Sequence, residues 1–157
     1  MRNLLLIFVI IITTFPGFSQ NAFKKTTFYF EVAGNAPALS LNYEQQLGSK
    51  PGFGLHVGAG LGDSKPTIPM GIVYMHDLGD HRSFLEGGFG VTLAEESLWD
   101  FDEPNKNSHP HTCGFIPSIG YRYHATHGFM LKIIYSPVFT RHRNIPGDGG
   151  ISLGWRI

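Results

Sequence analysis

Hydrophobic residues recur at every second position in eight separate stretches of the sequence, and this period of two limits the possible folds more than any other feature. Successive side chains of a β-strand point to opposite faces, so the alternation predicts strands. The predicted strands cover residues 28–32, 39–44, 53–61, 68–74, 85–93, 115–123, 129–137 and 151–157. Twenty glycines and ten prolines in 157 residues disfavour a helical bundle, so we expect one all-β domain.

The two faces of these strands differ in side-chain size as well as in polarity. One face carries large apolar residues and no Asp, Glu, Lys, Arg or His, whereas the other carries many glycines and a few charges. A soluble sandwich or lipocalin-like barrel would turn those glycines to solvent, where they only weaken a strand. A membrane barrel instead presents its large apolar residues to lipid and keeps small and polar residues inside. We therefore predict an eight-stranded antiparallel transmembrane β-barrel, with a soluble periplasmic β protein that binds a small apolar ligand as an alternative.

The predicted interior contains three acidic and three basic residues. They are Glu31, Glu44, Glu86, Arg122, Lys132 and Arg156. An eight-stranded barrel is just wide enough inside for side chains to fill it, and buried charges persist when they are paired. The set is therefore interpreted as a lumen charge network that plugs the barrel. The alternatives are a polar permeation path and a catalytic lumen.

The connections between the strands fall into two groups. LGSKPG, DLGDH and HATHG are tight and contain glycine, whereas residues 95–112 and 139–149 are longer. Short turns on one side and longer loops on the other are typical of the periplasmic and extracellular ends of such barrels. Aromatic residues on the apolar face, mostly near strand ends, are predicted to form girdles at the two membrane interfaces. These residues are Tyr43, Tyr74, Tyr121, Tyr123, Tyr135 and Trp155.

Three prolines oppose the barrel hypothesis. Pro69, Pro117 and Pro137 lie within predicted strands, and each removes a backbone donor from the ladder. A closed barrel has no edge strand on which to place them. The sequence offers no explanation for Pro117, which lies centrally in its strand.

The first nineteen residues have the pattern of a secretory signal peptide. Arg2 precedes an apolar run over residues 4–12, and the small residues Gly17 and Ser19 follow a break in that run. Cleavage after Ser19 would leave residues 20–157 as the barrel. A single cysteine excludes an intrachain disulfide, and twelve basic against twelve acidic residues argue against nucleic-acid binding.

The order of the segments PALSLNYEQQLG, GFGLHVGAGLG, TIPMGIVY, FLEGGFGVT, IGYRYHATHGFMLKIIYSPVF and GGISLGWRI resembles small, uncharacterised outer-membrane β-barrel proteins of Gram-negative bacteria. These are related in architecture to OmpA-like and OmpW-like porin-family barrels. The resemblance implies a monomer in the cell outer membrane, surrounded by lipid and lipopolysaccharide. The last strand resembles the signal read by the outer-membrane insertion machinery, although it ends in Ile157 rather than Phe. No catalytic motif transfers, so we expect a structural or surface-interaction role without a cofactor. Eight strands are too few for a wide pore.

Two groups of residues outside the central strands are candidate binding sites. An acidic and aromatic stretch in the 95–112 loop either contacts an extracellular partner or folds back on the barrel rim. It consists of Trp99, Asp100, Phe101, Asp102 and Glu103. His109, His111 and Cys113 alternate, so in an extended backbone they share a face and are ligand types for zinc or copper. Because a fourth ligand is missing, they are only weak metal candidates, and a solvated loop is favoured.

The enzymatic alternative is a lipid-modifying outer-membrane enzyme. Such an enzyme needs a nucleophile, a base and an orienting acid at the outer rim. Ser97, His142 and Glu95 are the residues of the right types, but nothing in their spacing supports this assignment. No catalytic residue is therefore predicted.

Overall fold

The computed structural model describes residues 24–36, 38–62, 65–94, 112–139, 144–146 and 148–157. Its strands are β1 (Thr26–Ala33), β2 (Leu39–Gln46), β3 (Phe53–Gly62), β4 (Lys65–Asp77), β5 (Ser83–Ala94), β6 (Thr112–His124), β7 (Phe129–Tyr135), β8 (Val138–Phe139), β9 (Asn144–Ile145) and β10 (Gly149–Arg156). Within these ranges no helix has the length and apolar character needed to cross a membrane. The predicted signal peptide over residues 1–19 lies outside the described residues.

The strands form one antiparallel sheet that closes on itself. Neighbours follow the order β5, β4, β3, β2, β1, β10, β7, β6, and β6 pairs again with β5. The short strand β8 continues β7 along β6, with Phe139 opposite Phe115, and β9 pairs with β8. The wall is therefore a closed barrel of eight strands, which confirms the predicted all-β, eight-stranded antiparallel architecture.

The inner and outer faces are those that the sequence pattern predicts in all eight stretches. The exposed large hydrophobic side chains range from 37% exposed at Met70 to 62% at Leu41. Inward positions hold glycine and buried polar or charged side chains, such as Glu31 and Arg122. Soluble proteins usually show the opposite distribution. The surface of this barrel is apolar because every strand carries a series of large apolar residues at its outward positions, although some large residues, such as Phe84 and Met75, point inward.

The two ends of the barrel differ in their connections. One end, here called the turn end, carries the turns at residues 47–52, 78–82 and 125–128 and the paired residues Thr27 and Arg156 of the first and last strands. The opposite end, called the loop end, is where β1, β3 and β5 end and where β2, β4, β6 and β10 begin. The three glycine-containing turns that the sequence groups together therefore share one end of the barrel.

The register explains the two prolines that lie near the β6–β7 seam. Ile119 pairs with Tyr135 and Phe115 with Phe139, so Pro117 and Pro137 lie opposite each other midway between these pairs. Hydrogen-bonded pairs recur at every second residue of an antiparallel ladder. Successive backbone amides of a strand point to opposite neighbours, and the amide of Ser136 donates to the carbonyl of Asp148 (3.0 Å), away from β6. Position 137 therefore faces β6, so the backbone donors missing at Pro137 and Pro117 belong to the same rung. Two defects thus interrupt the ladder at one place.

Pro69 lies at a second interruption of the wall. Pairing between β3 and β4 holds at Val57 with Met70 and at Gly60 with Thr67, and it is absent at the two rungs between them. Pro69 faces this gap on one side and pairs with Thr92 of β5 on the other. The proline therefore costs the barrel hydrogen bonds on one seam only, and the ladder resumes beyond it.

Inward glycines leave room for the side chains that fill the barrel. A Cβ atom at Gly88 would lie 2.5 Å from the hydroxyl oxygen of Ser118, and one at Gly54 would lie 2.5 Å from the side-chain nitrogen of Gln46. At Gly154 the added atom would meet the backbone of its cross-strand partner, 2.9 Å from the Cα atom of Tyr29. The outward Gly87, in contrast, has nothing within 4 Å. Glycine is required on the inner face because the interior is already full.

We expect Gly154→Ala to destabilise the folded barrel by about 1–3 kcal/mol, since the clash involves backbone that cannot rotate away. Gly87→Ala is the matched control, and its stability should equal or slightly exceed that of the parent because the new methyl group enters open space. Urea unfolding followed by tryptophan fluorescence in detergent measures both. Equal losses of stability in the two variants would contradict this account of the inner face.

Candidate functional site

Five charged side chains meet in the middle of the barrel, and each comes from a different strand. They are Glu31 on β1, Glu44 on β2, Glu86 on β5, Arg122 on β6 and Lys132 on β7. None is more than 1% exposed. Their inward parity places them in the lumen, so this set defines the candidate site.

Arg122 and Lys132 are direct cross-strand partners on the inner face. Like charges in this position repel each other, so the pair requires carboxylates close by. Glu44 accepts two hydrogen bonds from the Arg122 guanidinium, at 2.6 Å to Nη1 and 2.7 Å to Nη2. Strands β2 and β6 are diametrically opposite in the barrel order, so this bidentate ion pair crosses the whole lumen.

The ammonium group of Lys132 is held by the remaining two carboxylates. Its Nζ atom lies 3.1 Å from Oε2 of Glu31 and 3.7 Å from Oε1 of Glu86, and 4.3 Å above the ring of Tyr29. Glu86 also contacts the Nε atom of Arg122 through its other oxygen. One carboxylate therefore bridges the two cations, and each cation has a second carboxylate of its own. The cluster holds three carboxylates against two cations, and it persists in a buried site because every charge has an oppositely charged group beside it.

Neutral groups complete the environment of the carboxylates. The side-chain amide of Gln46 donates to Glu44 (2.9 Å), and the hydroxyl of Ser152 donates to Glu31 (2.8 Å). Arg156, the sixth charged residue of the predicted network, lies at the turn end, where its Nη2 atom donates to the carbonyl of Lys24 (3.3 Å). The structure thus brings five of the six predicted residues into one ion-paired cluster and ties Arg156 to the chain that leads into β1.

The connection between β1 and β2 folds into the lumen at the loop end. Ala33 and Gly34 adopt positive φ angles of 58° and 81°, and this bend carries Asn35 and Ala36 inward, where they are 5% and 0% exposed. The backbone amide of Asn35 donates to the carboxylate of Glu31 (2.9 Å), and the hydroxyl of Thr92 on β5 donates to the backbone carbonyl of Asn35. We call residues 34–36 the plug, because they cover the charged cluster from that side.

Sequence reasoning missed the plug. The only local signal is Gly34 followed by Asn35, which predicts a tight turn but not the direction in which it folds. That direction depends on Thr92, 57 residues further along the chain. A contact of this kind is visible only once the barrel has closed.

Larger side chains cover the cluster from the turn end. Phe84, Met75, Met130 and His124 are buried inside the barrel below the charges. The rings of Phe84 and His124 lie 4.7 Å apart, centroid to centroid. In the described part of the barrel, the charged side chains therefore meet protein atoms rather than water at both ends.

The turn at residues 78–82 holds a carboxylate that is fixed by hydrogen bonds. Asp80 accepts hydrogen bonds from the amides of Arg82 (2.9 Å) and Ser83 (2.6 Å) and from the Ser83 hydroxyl (2.7 Å). These bonds, led by the Arg82 amide, lower the pKa of Asp80 from 3.8 to about 2. The ionised carboxylate therefore stabilises the turn fully at pH values above 3.8, the ordinary pKa of the group. This contribution is lost as the pH falls through about 2.

The other predicted site residues lie mostly outside the described residues. This holds for the stretch from Trp99 to Glu103, for His109 and His111, and for the enzymatic candidates Glu95, Ser97 and His142. Cys113 is exposed on the outer face of β6. Among the residues that the structure describes, no group of three His, Cys, Asp or Glu side chains is arranged to hold a metal ion.

Comparison with known proteins yields no protein-family model and no curated protein that matches the sequence. Among solved structures, the chain is similar to the N-terminal β-barrel domain of Pseudomonas aeruginosa OprF, with a TM-score of 0.61. The two share 9% sequence identity over 85% of this chain and 96% of the other. At this identity the similarity shows the fold alone, a closed antiparallel barrel of eight strands.

We expect Arg122→Met to destabilise the barrel by about 3–5 kcal/mol, because it leaves Glu44 buried without a counter-charge. Adding Glu44→Gln should recover part of this loss, since the second substitution removes the orphaned charge. Arg82→Met removes an exposed arginine from a turn and is the matched control, with an expected change below about 0.5 kcal/mol. Urea midpoints in detergent give the comparison. A double variant no more stable than Arg122→Met alone would show that the two residues do not act as a pair.

Proposed function

We propose that the protein is an outer-membrane β-barrel with a structural role and without a wide pore. The observation that carries this proposal is the inverted distribution of side chains, with charges buried inside and large apolar residues exposed outside. Exposing this apolar surface to water would be costly, whereas a bilayer covers it. The closed wall also removes the unpaired strand edges that lipid does not tolerate.

The aromatic residues at the turn end support a membrane boundary at that height. Tyr43 pairs with Phe28, Phe28 with Trp155, and Trp155 with Phe129, so an unbroken row crosses four neighbouring strands. We call this set the aromatic row. Rows of this kind are typical of the membrane interfaces of β-barrels. The hydroxyl of Tyr43 donates to the outward Gln45 (2.8 Å), so polar groups begin directly below the row.

The filled lumen supports a structural role rather than transport. The charged cluster lies between the plug and the buried layer of Phe84 and Met75, so solutes meet packed side chains on the path along the barrel axis. The proposal extends the sequence-based expectations of a monomer, of contact with outer-membrane lipid and lipopolysaccharide, and of delivery by the insertion machinery. A surface contact through residues 95–112 is part of the same proposal. The enzymatic alternative gains no support from the described geometry.

Cell fractionation and electrophoresis test the membrane assignment together. We expect the protein in the outer-membrane fraction, and we expect the folded and the heated samples to migrate differently on a denaturing gel. Heat-dependent migration arises because a closed, ion-paired barrel resists unfolding in detergent at room temperature. Recovery of the protein in the freely soluble periplasmic fraction would refute the assignment and favour a soluble β protein.

Liposome swelling tests the absence of a wide pore. We expect vesicles that contain the refolded barrel to exclude a disaccharide as well as protein-free vesicles do, since an eight-stranded barrel has room only for its own side chains. Vesicles with a sixteen-stranded porin provide the positive control. Swelling at a rate close to that of the porin vesicles would overturn this part of the proposal.

A further inference from the structure

The outer wall has an apolar groove of about 240 Å³ across β1, β2 and β3, which extends from the aromatic row towards the loop end. Its outward lining residues are Phe28, Leu41, Tyr43, Val57 and Ala59. Ala59 is a small outward residue in a row of large ones, and it lies opposite Leu41 in the register. Phe28 and Tyr43, whose rings meet edge to face with centroids 5.3 Å apart, belong both to the groove and to the aromatic row.

Below the groove, at the turn end, the surface becomes polar and then positively charged. Thr26 and Tyr43 both donate to the side-chain oxygen of Gln45, at 2.9 and 2.8 Å. Beyond them lie Lys25, which precedes β1, and Lys50, in the turn between β2 and β3. Both lysines are exposed, and within the described ranges neither has an ion-pair partner.

The groove and the lysines lie within the depth of one leaflet. Leu41, in the groove, and Gln46, whose backbone amide donates to the carbonyl of Lys25 (2.8 Å), are five residues apart along β2. At about 3.3 Å per residue this separation is about 16 Å along the strand, and a strand tilt of about 40° reduces it to about 12 Å of depth. Half of a hydrocarbon core is about 15 Å thick. A ligand with an anionic group at the lysines would therefore place its apolar part in the groove.

We propose that this groove, together with Lys25 and Lys50, binds one anionic phospholipid of the leaflet at the turn end. An acyl chain lies in the groove, and the phosphate is held by the two ammonium groups. The inference rests on the proposed membrane location. Charge complementarity selects an anionic head group, and the depth of the lysines selects a lipid of that leaflet rather than lipopolysaccharide at the loop end.

Native mass spectrometry of the full barrel in detergent micelles tests the proposal. The probes are phosphatidylglycerol and phosphatidylcholine with identical acyl chains, added at equal concentrations. We expect one phosphatidylglycerol to be retained in preference to phosphatidylcholine, with about a fivefold loss of preference for each lysine replaced in Lys25→Gln and Lys50→Gln. Arg82→Gln removes a positive charge at the same end but away from the groove, and the preference should remain.

A second pair of variants tests the groove itself. Ala59→Phe fills it and should reduce retention of both lipids. Val32→Phe adds the same ring type to a separate groove of about 370 Å³ on the same wall, towards the loop end, and should leave retention unchanged. Every variant is first checked for heat-dependent migration, so that loss of binding is read only from folded barrels.

The outcomes separate the two proposals. A barrel that migrates as folded and inserts into vesicles, yet retains both lipids equally or loses as much preference in Arg82→Gln as in the lysine variants, overturns the lipid site alone. Unchanged retention in Ala59→Phe overturns the groove as the acyl site. Failure of the parent protein to insert into vesicles overturns the proposed function, and the lipid site with it.

Discussion

The adjacent cations Arg122 and Lys132 are the constraint on which the interior of this protein depends. They are direct cross-strand neighbours inside a closed wall, where water is not available to separate their charges. Three carboxylates lie beside the two cations and offset their repulsion. The ion pair between Arg122 and Glu44 spans the lumen from β6 to β2. The ion pairs therefore connect distant strands that share no ladder. They help to fix the cross-section of the barrel.

The plug depends on the same cluster. Glu31 holds Lys132 with one carboxylate oxygen and receives the amide of Asn35 with the other, so a single side chain joins the ion pairs to the inserted connection. At the opposite end, Phe84 and Met75 cover the charges with apolar atoms. In the described part of the barrel, the charged cluster is therefore enclosed from both sides, and each of its charges has an oppositely charged group beside it. This packing is the physical basis of the proposed structural role.

The sequence predicts the wall well and the irregularities of the wall poorly. Side chains alternate between the two faces along each strand, so the neighbouring residues in the sequence are enough to place Phe28, Leu41 and Trp155 on the outward face. Pro117 is different. It looked incompatible with a closed barrel, because a sequence does not show that Pro137 lies opposite it and that both missing donors fall on one rung. Register between strands depends on the whole sheet, and only the register makes these prolines tolerable.

The sequence by itself determined the strand number of the barrel and the face of each residue in the predicted strands, because a period of two assigns every side chain to one side. It also placed five of the residues that form the charged cluster. Only the tertiary structure decided which charges pair, since Glu44 and Arg122 are 78 residues apart and meet only after closure. It likewise decided that residues 34–36 turn inward and that Arg156 contacts the chain before β1. These choices depend on strand order and stagger, which local periodicity does not encode.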